Sequence, residues 1–279
     1  MDMRPICLII TLTAFVSVAY GQSDTLKHKY TLFNPVPREK MKDMETDRPD
    51  VTESAYSVAP GHFQVESDLL RHVRNKSDGV QSIQNTYNLA NYKLGLTERS
   101  DIQLVIPTYT TITVRDIATG KITNKTSGID DISVRFKYNI WGHHGGKTAL
   151  AALPYVVLPT SAFANNGMQY GMVFPFALSL SEEWNFGSQV AVNVAKEDDS
   201  HFHPEYLYSF TFGRELSEKL SAFVEGVATY NVFAKKAETF ANGGLIFSVT
   251  GNLNIDAGVN IGLKQSSDKI YFLGISFRY

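Results

Sequence analysis

From about residue 61 to the C-terminus the sequence returns again and again to one pattern: segments of about ten residues in which apolar side chains alternate with polar or small ones. In residues 132–140, Ile132, Val134, Phe136, Tyr138 and Ile140 alternate with Ser133, Arg135, Lys137 and Asn139. Val190, Val192 and Val194 form another stripe, as do Met172, Phe174, Phe176 and Leu178, then Tyr206, Tyr208, Phe210 and Phe212, and later Ile255, Ala257, Val259 and Ile261. A period of two places each stripe on one face of a strand, and helical spacing fits none of them. The chain ends in the same way: Tyr271, Leu273, Ile275, Phe277 and Tyr279 share one parity up to the last residue.

Twelve such strands are expected, near residues 62–71, 82–94, 100–112, 130–140, 147–158, 169–180, 184–195, 204–214, 219–231, 241–250, 253–264 and 270–279. About ten residues is the length a tilted strand needs to cross a bilayer. The connections alternate in length. Short ones at residues 96–100, 181–183, 215–219 and 250–252 separate longer polar ones at 73–81, 114–128, 159–168, 196–204, 233–242 and 264–269. The connection at 141–146 (WGHHGG) is less tight than the other short ones. Tight turns on one side and longer loops on the other describe an up-and-down antiparallel barrel in a membrane, and an even strand count puts both barrel ends on the tight-turn side. A soluble sandwich or barrel would show a polar outer face rich in Lys, Glu and Thr. Here many positions opposite the stripes are small, among them Gly187, Ala191, Gly258, Gly262, Gly274 and Ser276.

The fold class expected is therefore all-β: a transmembrane up-and-down antiparallel barrel of about twelve strands over residues 61–279, preceded by an irregular periplasmic segment over residues 22–60. Glu66, Asp68, Arg135, Lys137, Glu225, Asp256 and Arg278 fall in strands, where Arg or Lys on a lipid face would cost about 2–4 kcal/mol each at the midplane. They are expected to face the lumen. Opposed charges there could orient a polar solute across the pore or close the pore by pairing, and both arrangements remain open at this stage. A lumen of twelve strands is wider than one filled by side chains and narrower than an open porin, which suits a small solute.

Composition narrows the function further. A net charge of −2 gives no basic excess for neutralising phosphates, so no nucleic-acid partner is expected. The only cysteine, Cys7, lies in an apolar run at residues 6–18 that follows Arg4 and precedes Ala19, Tyr20 and Gly21. That arrangement reads as an export signal over residues 1–21, and the mature chain would have no thiol. No catalytic residue is evident. A barrel lipase would pair His with Ser as His-x-Ser on a strand, and that triplet does not occur. Glu66 and Asp68, two residues apart on one face, suit an ion-pair network better than an acid–base pair. His201 and His203 near Asp198 and Asp199 could supply metal ligands, but a solvated loop is the preferred reading, so no metal or cofactor is expected.

Residues 46–54 (TDRPDVTES) and 58–66 (VAPGHFQVE) resemble the opening of the outer-membrane transporter family described as "Putative MetA-pathway of phenol degradation". Residues 94–99 (LGLTER), 128–138 (GIDDISVRFKY) and 153–160 (LPYVVLPT) are similar to later segments of the same family, so the resemblance runs from about residue 46 to residue 279. It implies a passive outer-membrane channel in a Gram-negative bacterium for a small, aromatic or hydrophobic solute. The alternatives are a structural or adhesive barrel and, third, an outer-membrane lipolytic enzyme. Two readings exist for residues 46–54: a polar lead-in capping the periplasmic mouth, which is favoured, and a gate in which Arg48 and Asp50 engage the lumen. The C-terminal Phe277 and Tyr279 look like the signal read by the barrel-assembly machinery. Outer-membrane lipids are the expected surroundings, and the sequence fixes no oligomeric state.

Overall fold

A computed structural model describes residues 30–143, 145–163, 167–196 and 201–279. The export segment expected at residues 1–21 lies outside the described residues. The strands run in order as β1 (Phe63–Ser77), β2 (Val80–Thr97), β3 (Ser100–Asp116), β4 (Ile122–Gly128), β5 (Ile132–Trp141), β6 (Thr148–Leu158) and β7 (Gln169–Ser179). They continue as β8 (Trp184–Lys196), β9 (Phe202–Ser217), β10 (Leu220–Asn231), β11 (Lys236–Thr250), β12 (Leu253–Gly262) and β13 (Lys269–Arg278). Apart from β4 and β5, which both pair with β3, consecutive strands pair antiparallel, and β1 pairs with β13, so the sheet closes on itself. β4 pairs with the far half of β3 and β5 with the near half. Together they make one stave broken at residues 129–131, and the barrel has twelve staves. Its closing seam runs from Gln64 opposite Arg278 to Arg74 opposite Lys269. Phe63 and Tyr279 exchange backbone hydrogen bonds of 3.2 and 2.8 Å at its end. No sheet edge remains unpaired at this seam, as a lipid environment requires.

Alternation assigns the faces. In β5 Phe136 is 40% exposed and Lys137 1%; in β10 Val224 is 62% exposed and Glu225 5%. Apolar side chains cover the outside, with Tyr87, Tyr109, Tyr170, Tyr206, Tyr230 and Tyr271 exposed on it. The fully buried side chains of the interior include Lys137, Gln64, Gln103, Glu66 and Asn139. This inside-out distribution is what a barrel needs in lipid and what a water-soluble barrel avoids.

The longer connections are shorter than the sequence suggested. β1 and β2 continue to a two-residue turn, Asp78-Gly79, with φ of 52° and 77°, the primed turn that matches strand twist and favours Asp-Gly. Most of residues 114–128 forms the β3–β4 hairpin, and β11 begins at Lys236 within the expected loop at 233–242. Apolar alternation records contact with lipid and stops where the bilayer stops. The backbone ladder continues beyond it with polar side chains. His203 likewise sits inside β9 opposite Ala195, with its ring 4.8 Å from Phe233, rather than in a loop. Asp198 and Asp199 lie outside the described residues.

Candidate functional site

The interior is occupied by the chain itself. Residues 43–60 enter from the tight-turn side and hydrogen-bond to lumen-facing side chains around the wall, so the segment does not stop at the mouth as the favoured lead-in reading had it. The wall positions that hold it lie within the first eight or so residues of each strand from the tight turns, the half of the lumen nearest the strand ends that carry Phe63 and Tyr279.

Three charged groups of the segment organise the contacts. Arg48 reaches Asp68 of β1 through Nη1 at 2.5 Å and Asp256 of β12 through Nη2 at 2.5 Å, with Nε 3.2 Å from Asp256. Its guanidinium has room because β13 carries Gly274 there: a Cβ at that position would lie 1.9 Å from Arg48 Nη2. Asp47 accepts from Lys93 of β2 and from Lys137 of β5, both at 2.5 Å, and Lys93 also donates to Glu66. Glu53 pairs with Arg135. The wall acids and bases therefore meet mainly through the segment. Lys93–Glu66 and Arg71–Asp68, the latter at 3.4 Å, are pairs made within the wall.

Hydrogen bonds to the segment's backbone and hydroxyl groups complete the attachment. Glu225 accepts the backbone N–H groups of Val51 and Thr52 and the Thr52 hydroxyl, the last two at 2.7 Å, and also Asn242 Nδ2 at 2.6 Å. Thr52 Oγ1 lies 2.7 Å from Ser209 Oγ. Gln189 bonds Glu53 N and Val51 O, Asn139 donates to Ala55 O, Lys137 donates to Ser54 O, and Asp101 accepts from Val58 N. An irregular segment inside a barrel must satisfy its backbone polar groups, and here wall side chains do so. Glu66 takes the N–H groups of Asp47 and Arg48 in the same way.

Asp47 and Asp50 of the segment differ. Burial works to raise the Asp47 carboxyl, but Lys137 and Lys93 outweigh it and hold the group well below the usual carboxylate range. Asp50 is pushed well above that range, first by burial and then by the neighbouring Glu225. One side chain is thus a fixed anion between two lysines, and the other is predisposed to hold a proton.

Beside the segment lies a cavity of about 710 Å³, lined by Arg48, Asp50, Glu53, Phe186, Thr211 and Phe223 among others, and a second of about 670 Å³ sits at the mouth near Lys40, Tyr56, Glu98 and Arg278. Arg278 donates to Asn252 Oδ1 and to the carbonyl of Lys42 at that rim. The lumen wall is not uniformly polar. Phe223, Ile270 and Phe272 cluster with Val73, and the rings of Phe223 and Phe272 lie over Gly244 and Gly258, where a Cβ would come within 2.7 and 2.6 Å of them.

The family model described as "Putative MetA-pathway of phenol degradation" matches residues 46–279, from the lumen-crossing segment through every strand to the last residue. The chain belongs to this family. No curated protein matches it in sequence. Among solved structures it is similar to the COG4313 outer membrane channel from Pseudomonas putida F1, at 12% identity and TM-score 0.62, covering 84% of this chain and 100% of that one. It is also similar to the NanC porin, at 10% identity and TM-score 0.50 over 76% of this chain and 98% of that one. A third likeness is the translocator domain of the autotransporter NalP from Neisseria meningitidis, at 11% identity and TM-score 0.50 over 80% and 90%. At such identities these likenesses establish the fold.

For this family member the sequence reading missed Asp47 and Glu53 of the segment and Lys93, Asp101 and Gln189 of the wall. Lys93 was within reach, since Asn91, Lys93 and Gly95 alternate with Tyr92, Leu94 and Leu96. The partners of Asp47 and Glu53 were not, because an irregular segment carries no period from which to infer which strand it touches.

Proposed function

We propose that the protein is a passive outer-membrane channel for a small aromatic or hydrophobic solute, and that residues 43–60 are its gate. The observation that carries this reading is the attachment of that segment. It is held mainly by polar and ionic contacts that water and ions could replace, and its apolar anchorage is small, Ala55 and Tyr56 packing against Ala149, Ala151 and Ala177 of the wall. Arg48 and Asp50 act as gate residues, Arg48 as the clasp and Asp50 as the acid beside Glu225, its carboxyl raised by burial and by that neighbour. Glu66, Asp68, Arg135, Lys137, Glu225 and Asp256 form the receiving wall, and Arg278 holds the rim. The family description points to aromatic compounds, and the Phe223–Phe272 cluster offers an apolar surface along the lumen wall. Residues 1–21 direct export, and the barrel-assembly machinery reads Phe277 and Tyr279. No catalytic role is assigned.

The occupied lumen also suits the second reading, a structural barrel that transports nothing. Flux into proteoliposomes separates the two. Phenol should enter faster than into protein-free vesicles, and a variant lacking residues 43–58 should pass it faster still. No flux from either protein, both shown to be folded by heat-modifiable migration on gels, would sink the channel reading.

A further inference from the structure

On the outside of the barrel, on the side away from the segment's entry, basic side chains collect where the strands rise past the tyrosines. The register places them in two rows. Tyr271, His72, Asn85, Thr111 and Ser127 stand side by side across β13, β1, β2, β3 and β4. Two residues further out on the same strands come Lys269, Arg74, Ile83, Thr113 and Lys125, and beyond them Lys76, Gln81 and Arg115. All have the outward parity, because Ile270, Val73, Thr86 and Thr110 between them point inward. Arg74, Lys76, Arg115, Lys125 and Lys269 are exposed.

Arg74 and Lys269 are directly opposite each other across the closing seam, an arrangement of like charges that destabilises a strand pair unless an anion lies between them. Among the described residues none of the five makes an ion pair with a carboxylate, and Arg74 bonds only the neutral Gln81. Acids next to them in the chain are otherwise engaged: Asp116 accepts from Thr119 in its turn, Asp268 accepts from Asn75, and Asp78 accepts from the Ser77 hydroxyl. Five cations in two adjacent rows, just past an aromatic belt that marks a membrane boundary, face the headgroup layer rather than bulk water.

We propose that this patch binds the phosphate groups of a phosphorylated glycolipid in the outer leaflet. A phosphate can accept from Arg74 and Lys269 together, as a charge-assisted bond to each, while the acyl chains lie on the apolar wall below Tyr271. The proposal rests on the outer-membrane placement given above, and it does not depend on whether the lumen conducts.

The test uses the full barrel in detergent with diphosphoryl lipid A as probe, and native mass spectrometry as readout. Wild-type protein should retain lipid A, with affinity falling as salt rises. The triple variant Arg74→Gln/Lys125→Gln/Lys269→Gln should bind at least tenfold more weakly. A control that removes three charges from the tight-turn side, Lys147→Gln/Arg214→Gln/Lys219→Gln, should bind as wild type. Dephosphorylated lipid A should bind both equally weakly, and inorganic phosphate at the same concentration should not compete. Equal loss in the control, or undiminished binding by the patch variant, would overturn the proposal. Reconstitution of both variants in the same vesicles shows separately whether the barrel inserts, so failure of membrane placement is distinguishable from failure of lipid recognition.

Discussion

Replacing Arg48 by Met keeps the length of the side chain and removes the clasp. In the docked segment the guanidinium faces two carboxylates at 2.5 Å while remaining only 13% exposed. At an effective dielectric of about 20, each pair at ~4 Å between charge centres attracts by roughly 4 kcal/mol, much of which the cost of desolvation offsets. Removing one partner of a buried pair costs about 3–5 kcal/mol, because the other charge is left without compensation. Here Asp68 keeps Arg71 at 3.4 Å, so the lower end of that range applies to it, whereas Asp256 has no other ionic partner among the described residues. At about 1.4 kcal/mol per factor of ten, the ratio of docked to released segment should fall by roughly a hundredfold to a few thousandfold. Single-channel recording in planar bilayers reads this directly: brief rare openings in the wild type should become long ones in Arg48→Met. An unchanged open fraction in a variant that still migrates as a folded barrel would refute the assignment of Arg48 as clasp.

The same site yields further expectations. Gly274→Ala introduces a Cβ on top of the tethered guanidinium, so openings should increase without any change of charge, and less than in Arg48→Met, as expected for an overpacking cost of about 1–3 kcal/mol. Conductance should also depend on pH. Asp50 has its carboxyl raised in the docked segment, so its contribution to docking is complete below the ordinary Asp range and is lost as pH rises through the raised value; Asp47 is lowered, so its contribution is present above the ordinary range and is lost in acid. Open probability should therefore rise on the alkaline side, and Asp50→Asn should abolish that rise; persistence of the rise in the variant would assign it to another group. Deleting residues 277–279 removes the Phe63–Tyr279 backbone pair and the Tyr279 ring stacked under Arg38 at 4.6 Å, so the barrel should fail to appear as a heat-modifiable band in membranes before any change in selectivity can be measured.

How much of this was legible depended on what each residue touches. β5 and β13 could be read residue by residue, because lipid on one side and water or protein on the other force Phe136 and Lys137, or Leu273 and Gly274, onto opposite faces. The closure of β13 on β1 followed from the same alternation. Strand ends beyond the bilayer were not legible: Arg74, Asn75, Lys76 and Ser77 are polar on both faces and fall in the expected connection at 73–81, and only their backbone ladder with β2 reveals a strand. Arg48 as a partner of lumen acids was one of two sequence readings, and the capping alternative was favoured because Pro49 and the charges argue only against a strand. Nothing in residues 43–60 repeats, so the bridging of Lys93 and Lys137 by Asp47 emerges only from the three-dimensional arrangement.

The central claim is that residues 43–60 must leave the wall for solute to pass. Thr52 and Ser209 are the place to test it, since their hydroxyl oxygens are 2.7 Å apart across the segment and β9, and the sequence holds no cysteine other than Cys7. Thr52→Cys/Ser209→Cys can form a disulfide with little movement. Phenol flux and single-channel openings through the oxidised double variant should fall to the level of protein-free membranes and return on reduction with dithiothreitol. Flux that is unaffected by the disulfide, once its formation is shown by mass spectrometry, would contradict the gate and leave residues 43–60 as a fixed lining of the lumen.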